Sequence, residues 1–274
     1  MKRILFLSLV FIFTLAPFSL ACASEPIKIL LVPGHDNEIW GAQYGNLKEA
    51  DMNLRLATDI YNILKKDKRF NVFITRNKNG YTKEFVDYFF TQRDNIVLFK
   101  ENAKKKTQDE ISNGTFIKKD GVQHISASED TAIKLYGINK WAKEKNMDAV
   151  VHIHFNDYPR KTKWTMGKYK GFAIYMPDGH FLNAKESAQL AGNIFAQLSQ
   201  KYITSTYGKE EGGLISDHEL IALGANNTLS EGVRSVLIEY GYIYRFWNDS
   251  MRYRSYKTMA DLTVRGVKNY FFKK

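Results

Sequence analysis

Cysteine is almost absent from this sequence. Of the 274 residues only Cys22 carries a thiol, and it lies at the end of an apolar N-terminal stretch. Cleavage of the chain after Ala23 would leave a mature protein with no cysteine. Such a protein has no disulfide, no thiol nucleophile and no cysteine-ligated metal ion.

The N-terminal stretch, residues 1–23, is typical of a secretory signal peptide. Two basic residues precede an apolar run at residues 4–20, and the small residues Ala21 and Ala23 occupy the positions that a signal peptidase reads. The run is short for a membrane span, so we expect cleavage and export to the periplasm, the cell wall or the extracellular space. The alternatives are a retained anchor and lipidation of Cys22, and either would attach the protein to a membrane.

Internal repeats and low-complexity linkers are also missing, so the remaining residues 24–274 are expected to form one domain. We expect the protein to be a monomer. The net charge is +11, and it falls to +9 without the signal, which contains no acidic residue. An excess of positive charge on an exported protein suggests an anionic partner, such as a cell-wall polymer or a membrane surface. Export argues against nucleic acid.

Apolar runs alternate with helical patterns along the mature chain. Runs with β-branched and aromatic residues predict five strands, at 27–32, 72–75, 149–155, 171–176 and 235–240. Amphipathic spacing predicts helices at 48–66, 83–105, 129–146, 183–202 and 251–272. Strands separated by helices predict an α/β fold with a mainly parallel central sheet and helices on both faces.

One connection is unusually long. More than 70 residues separate the second and third predicted strands, and we expect an inserted segment at about residues 80–128. A connection of this length is either functional or a surface excursion.

Histidine and glutamate side chains stand at several predicted strand and helix ends. His35 follows the first strand on a Pro-Gly turn, and Glu49 opens the first helix. His152 and His154 lie on one face of the third strand, and Glu239 lies near the end of the fifth. Each of these residues, taken alone, could serve only the structure. Together, however, their side chains can meet at the carboxyl edge of a parallel sheet. Zinc takes three ligands of these types and leaves a position for water.

These segments resemble, in order and spacing, the motifs of the zinc-dependent N-acetylmuramoyl-L-alanine amidases of bacterial cell-wall turnover. The resemblance runs from about Ile27 to the C-terminus, interrupted by the long segment. The matching segments are Pro33-Gly34-His35, Glu49-Ala50-Asp51, residues 72–75 with Arg76, Ile153-His154-Phe155-Asn156 and Leu237-Ile238-Glu239-Tyr240-Gly241.

The resemblance implies a site and a reaction. His35, Glu49 and His154 would bind Zn²⁺, and Glu239 would act as the general base in hydrolysis of the amide bond between N-acetylmuramic acid and the L-alanine of the stem peptide. His152 departs from the family, which has serine there, and it stands as an alternative ligand or as support for the ligands. Other departures, at Phe155, Tyr244 and Arg245, bear on substrate detail.

Three further expectations follow from the resemblance. Peptidoglycan is the expected substrate and partner, and an activating protein is a further candidate partner. The long segment is a candidate autoinhibitory lid. Two other functions fit the same residues: a related zinc peptidase or deacylase acting on another amide, and a non-catalytic wall-binding regulatory homologue.

Overall fold

A computed structural model describes residues 25–122, 124 and 126–273, so the predicted signal peptide at residues 1–23 and Cys22 lie outside the described residues. The strands are β1 Ile27–Pro33, β2 Gln43–Tyr44, β3 Leu47–Lys48, β4 Phe70–Ile74, β5 Arg76–Asn77, β6 Gly80–Tyr81, β7 Ala149–Asn156, β8 Ala173–Pro177, β9 Leu214–Asp217 and β10 Arg234–Tyr242. The α-helices are α1 Glu49–Leu64, α2 Lys83–Thr91, α3 Arg93–Ser112, α4 Glu129–Glu144, α5 Ala184–Leu198 and α6 Asp249–Phe272.

Six strands form the central sheet in the order β4-β1-β7-β10-β8-β9. Strands β4, β1, β7 and β10 are parallel, and β8 pairs antiparallel with β10. The predicted mainly parallel α/β fold is therefore confirmed. The carboxyl ends of β1, β7 and β10 consequently lie at the same edge of the sheet.

Helices cover both faces of this sheet because the central strands are apolar on both sides. Alternate residues such as Ile29 and Val151 pack with α1, α5 and α6 on the first face. The residues next to them in sequence, such as Leu30 and Val150, point to the opposite side and pack with α2 and α4 on the second face. His152 and His154 share the second face with Val150, as the alternation requires.

Local signals place the helix beginnings. Acidic residues occupy the first turn of α1, where they complement the helix dipole, and apolar residues recur along its buried side. The hydroxyl of Ser128 accepts a hydrogen bond from the backbone N–H of Thr131 and caps α4. None of the helices in the described part of the chain is long and apolar enough to cross a bilayer.

The long segment contains α2, α3 and a tail, which we define as residues 113–128. Phe85 of α2 and Ile96 of α3 are fully buried, and α3 packs along α4. The tail lies against the end of the sheet, where Lys119 pairs with Asp178 at 3.0 Å and His124 with Asp217 at 2.7 Å. The segment is thus fixed by hydrophobic packing of α2 and α3 at one end, and at the other by these polar contacts together with packing of Phe116 on His180 and of Val122 on the sheet.

Candidate metal centre

Three predicted side chains converge beyond the carboxyl ends of β1 and β7. The Nε2 atom of His35 lies 3.0 Å from Oε2 of Glu49, and Nδ1 of His154 lies 3.0 Å from Oε1 of the same carboxylate. One candidate ligand atom from each residue lies within 4.8 Å of the other two. The structure therefore brings His35, Glu49 and His154 together as the sequence predicts.

Two glycines make room for these side chains. A Cβ atom at Gly34 would lie 2.1 Å from the His154 ring, so a side chain there would displace the imidazole. A Cβ atom at Gly41 would lie 2.4 Å from both Glu49 and the His35 ring, and Gly41 also has a φ of +69°. His35 itself has a φ of +60°, a conformation that non-glycine residues rarely adopt. Backbone strain at this position is a recurrent property of functional sites.

Buried polar groups hold the surrounding backbone. The guanidinium of Arg76 donates to the carbonyl oxygens of Pro33, Gly34 and Ala50. The amide of Asn53 donates to the same Gly34 carbonyl at 3.0 Å and to Glu49 at 3.2 Å. These bonds fix the turn that carries His35 relative to the first turn of α1.

The electrostatics keep two of the three groups in the form that binds a metal. Burial acts to raise the pKa of Glu49, but its hydrogen bonds with His154 and His35 outweigh burial and hold that pKa well below its usual range. Burial lowers the pKa of His154 although Glu49 opposes the shift. An ionised carboxylate and a neutral imidazole are the ligand forms of these side chains.

Glu239 lies beside this cluster. It is the register partner of His154 across the β7–β10 pair, so both side chains project from the same face of the sheet. Its Oε2 atom is buried and accepts no hydrogen bond from any residue that the structure describes. Burial, and next the charges of Glu49 and Glu210, raise the pKa of Glu239 well above that of an ordinary glutamate. A desolvated carboxyl group of raised pKa is the usual state of a general acid or base.

His152 lies deeper in the same face and outside the cluster of three. It is 1 % exposed, and burial lowers its pKa to about 3, so it is neutral. Within the described ranges its Nε2 atom has no hydrogen-bond partner.

A buried carboxylate that the sequence did not reveal lies next to this site. Glu210 accepts hydrogen bonds from Asn156 at 2.7 Å, from Tyr175 at 2.6 Å and from Tyr242 at 3.0 Å. It thereby links the ends of β7 and β10, which carry His154 and Glu239. Glu210 stands in a short Lys-Glu-Glu sequence that is typical of a surface turn, so no sequence signal marks it.

The donor set fits zinc. Two imidazoles and one carboxylate are a ligand combination found in catalytic zinc sites, where three protein ligands leave one position open. The Oε2 atom of Glu239, which has no hydrogen-bond partner among the described residues, provides an acceptor beside the three ligands and is not itself one of them. The residues present are therefore those that a hydrolytic zinc site requires.

The comparisons with known proteins agree with this geometry. A family model described as N-acetylmuramoyl-L-alanine amidase (Amidase_3) matches residues 29–269. No curated protein sequence matches the chain significantly.

Solved structures of such amidases share the fold. An N-acetylmuramoyl-L-alanine amidase from Clostridium difficile 630 superposes with a TM-score of 0.56 at 17% identity, covering 92% of this chain and 100% of that one. The catalytic domain of CwlV from Bacillus (Paenibacillus) polymyxa var. colistinus gives 0.56 at 14% identity, covering 90% and 99%. The CwlD amidase from Clostridioides difficile, solved in complex with the GerS lipoprotein, gives 0.56 at 16% identity, covering 89% and 98%. Since the family model spans most of the chain, the protein belongs to the N-acetylmuramoyl-L-alanine amidase family.

Proposed function

We propose that this protein is a zinc-dependent hydrolase that cleaves the amide bond between N-acetylmuramic acid and the L-alanine of the peptidoglycan stem peptide. The observation that carries the proposal is the convergence of His35, Glu49 and His154 within 4.8 Å. Glu239, projecting beside His154, supplies the proton-transfer group that such a hydrolysis needs.

Each side chain has a role in this reaction. His35, Glu49 and His154 would hold the zinc ion. Bound there, zinc supplies Lewis-acid chemistry that polarises the amide carbonyl and lowers the pKa of water to about 7. Glu239 accepts the proton of the attacking water and returns it to the nitrogen of the leaving L-alanine. Glu210 keeps the ends of β7 and β10 in register, so that His154 and Glu239 face the same substrate bond.

Digestion of purified peptidoglycan tests this proposal. Protein comprising residues 24–274 is incubated with the polymer with and without zinc, and the products are identified by mass. Free stem peptides that begin with L-alanine and form only with metal support the amidase. Cleavage at another amide would indicate a peptidase or deacylase. An unchanged polymer would indicate an occluded enzyme, an enzyme for another amide substrate, or a binding homologue.

Export is part of the same proposal. We infer that residues 1–23 are removed on secretion, which places the enzyme in the compartment of its substrate. Intact-mass measurement of the exported protein distinguishes a chain that begins at Ser24 from a chain lipidated at Cys22 and from an uncleaved precursor.

We further propose that the tail of the long segment restrains access to Glu239 and that a protein partner displaces it. Val122 of the tail packs on the cluster that contains Leu237, two residues before Glu239. The His124 ring lies 5.8 Å from the ring of Tyr175, which donates a hydrogen bond to Glu210. The tail therefore lies against residues that surround the Glu239 carboxyl group.

Deleting residues 80–128 is a poor test of the lid, because it would also remove buried Phe85 and Ile96. The double substitution Lys119→Ala with His124→Ala removes both ion pairs of the tail with the sheet end and leaves α2 and α3 in place. We expect higher basal release of stem peptides from this variant. Unchanged release would dismiss the lid.

A further inference from the structure

A strongly basic loop follows β7. We call residues 157–170 the basic loop; it contains Arg160, four lysines and a single acidic residue, Asp157, and so carries four of the chain's eleven net positive charges. The four lysines are all exposed. They are Lys161, Lys163, Lys168 and Lys170.

These lysines lack acidic partners. Lysines on α2 and α3 pair with acidic residues one turn away, as Lys83 does with Asp87 and Lys105 with Asp109. In contrast, no described carboxylate lies within ion-pair distance of a lysine of the basic loop. Lys168 lies 4.8 Å from the ring of Tyr169 and 5.9 Å from the ring of Tyr158, and Lys163 lies 5.8 Å from the ring of Trp164. Their positive charge is therefore available to a ligand.

The loop is nevertheless held in one shape from inside. The side chain of Arg160 is 6% exposed and forms a bidentate ion pair with Asp157. The same guanidinium donates to the carbonyl oxygens of Thr162, Thr165 and Gln43. Arg160 and Asp157 are thus committed to structure and unavailable for binding.

A second arginine holds the other half of the loop. Arg245 donates to the carbonyl oxygens of Gly167, Lys168 and Tyr169. The backbone N–H of Tyr169 donates to the hydroxyl of Tyr244 at 3.1 Å. A loop fixed in this way loses little conformational entropy when a ligand binds.

The loop borders the candidate metal centre on two sides. It begins directly after β7, three residues beyond His154. Its Trp164 ring lies over Gly45, in the turn between β2 and β3, and the backbone N–H of Gly45 donates to Lys163. The same β2–β3 ribbon leads into Glu49, whose carboxylate accepts the backbone N–H of Ala42 at 2.9 Å. The basic loop is therefore joined to the metal centre through β7, which carries His154, and through the β2–β3 ribbon, which leads to Glu49.

We propose that the lysines of the basic loop bind the carboxylates of the stem peptide, so that the enzyme selects stem peptides whose carboxylates are free over those whose carboxylates are amidated. This inference rests on the proposed amidase function. A stem peptide joined to the sugar through the scissile amide lies next to the metal centre by necessity, and its carboxylates match the charge of the loop. Binding to a lipid surface or to a wall polyanion would not require the loop to lie near the metal centre, nor would it require a loop of fixed shape.

The test is a binding measurement with two probes. One probe is a fluorescent disaccharide–tetrapeptide with free stem carboxylates, and the other is the same compound with those carboxylates amidated. Binding is measured in a Glu239→Gln background so that the probe is not consumed. The loop variant carries Lys161→Gln, Lys163→Gln, Lys168→Gln and Lys170→Gln.

A matched control removes the same charge elsewhere. Lys65, Lys66, Lys68 and Lys145 are also exposed, and they immediately precede β4 and β7, at the amino edge of the parallel strands, opposite the site. The control variant changes these four to glutamine. Both variants lose four positive charges, so any effect of net charge is common to both.

We expect the Kd of the carboxylate probe to rise about tenfold in the loop variant at low ionic strength, because exposed ion pairs are individually weak. The effect should shrink in physiological salt, and neither the control variant nor the amidated probe should show it. Equal weakening in both variants, or of both probes, overturns the inference. Loss of binding to anionic vesicles with unchanged binding of the carboxylate probe also overturns it.

Release of stem peptides by the protein with Glu239 intact is measured separately. Absence of release, also by a protein that carries Lys119→Ala and His124→Ala, together with loop-dependent binding of the carboxylate probe rejects the proposed function and leaves a carboxylate-binding loop. If stem peptides are released but the loop substitutions do not change binding of the carboxylate probe, the inference about the loop is rejected and the proposed amidase function stands.

Discussion

Gly34 lies where a side chain would occupy the space of the His154 imidazole. Replacing it with alanine leaves the backbone angles acceptable, so the expected damage is local to the ring. We expect Gly34→Ala to weaken zinc binding at least about tenfold, as changes beside metal ligands commonly do. Calorimetric zinc titration measures this effect.

Gly179→Ala is the matched control, since nothing lies within 4 Å of a Cβ atom placed there. Its zinc affinity should equal that of the unmodified protein. If Gly34→Ala also binds zinc with full affinity, the His154 ring does not contribute to the site in the position described.

Glu239→Gln separates catalysis from metal binding. The substitution keeps the size of the side chain but removes the proton acceptor, so turnover should fall by about 10²–10⁴-fold. Zinc affinity should persist, and the free energy of unfolding should stay equal or rise, because an unpartnered buried carboxylate is lost. Steady-state release of stem peptides, zinc titration and denaturant unfolding give the three values. Residual turnover within a few-fold of the original would remove Glu239 from the mechanism.

The sequence predicted the residues whose position follows from the sheet itself. His35, His154 and Glu239 stand at ends of apolar runs, and parallel strands bring such ends to one edge. Glu210 and Gly41 could not be predicted in the same way. Their roles depend on contacts between distant segments, such as the bond from Asn156 to Glu210.

The tail of the long segment is held in part by Asp178. The stability that this carboxylate contributes is sensitive to acid. Burial acts to raise the pKa of Asp178, but hydrogen bonds from His180, Lys119 and Ser216 hold that pKa well below its usual range. A carboxyl group with a depressed folded pKa contributes stability that is complete above its unfolded pKa of about 3.9. That stability is lost as the pH falls from there toward the folded value.

Asp178→Asn should therefore lower the free energy of unfolding by about 1–3 kcal/mol near neutral pH. The gap between the two proteins should begin to narrow below about pH 4, where Asp178 of the unfolded chain takes up a proton, and should keep narrowing as the pH falls toward the depressed folded pKa. Unfolding followed from pH 2.5 to 7 (roughly the span set by the carboxyl pKa) measures the gap. Asp59→Asn, which breaks a surface pair with Arg55, should change stability little at any pH. A difference in the free energy of unfolding between Asp178→Asn and the unmodified protein that is the same at every pH would show that the charge of Asp178 is not its cause.

Whether a segment forms a helix or a strand was easier to predict than where a helix is interrupted or in which direction a strand runs. The predicted strand at 149–155 and the observed β7 differ by one residue, because an apolar run bounded by polar residues is unambiguous. The predicted helix at 83–105 is instead two helices with Gln92 between them, and Phe89 of the first packs on the cluster that contains Ile96 of the second. Strand β9 has four residues after two glycines and gives no periodic signal. The reversed direction of β8 is likewise invisible in its apolar sequence.

The whole molecule should be more stable with zinc than without it. Binding to the folded state alone adds about 2.7 kcal/mol when free zinc is a hundredfold above Kd. For a domain of this size the Tm should rise by roughly 5–10 °C. Thermal unfolding with zinc and with a chelator measures the shift. Glu49→Gln should abolish most of it, and an equal shift in that variant would place the ion at other histidines.

The basic loop has a consequence for how this enzyme can change over evolutionary time. Its backbone is fixed by Arg160 and Arg245, and six of their acceptors are main-chain carbonyls that every amino acid provides. The outward-facing side chains of the four lysines take no part in those bonds. Mutation can therefore replace them with neutral or acidic residues at almost no folding penalty. If the loop binds stem peptides as proposed, its recognition can therefore change between lineages whose walls differ in chemistry, while His35, Glu49, His154 and Glu239 stay the same.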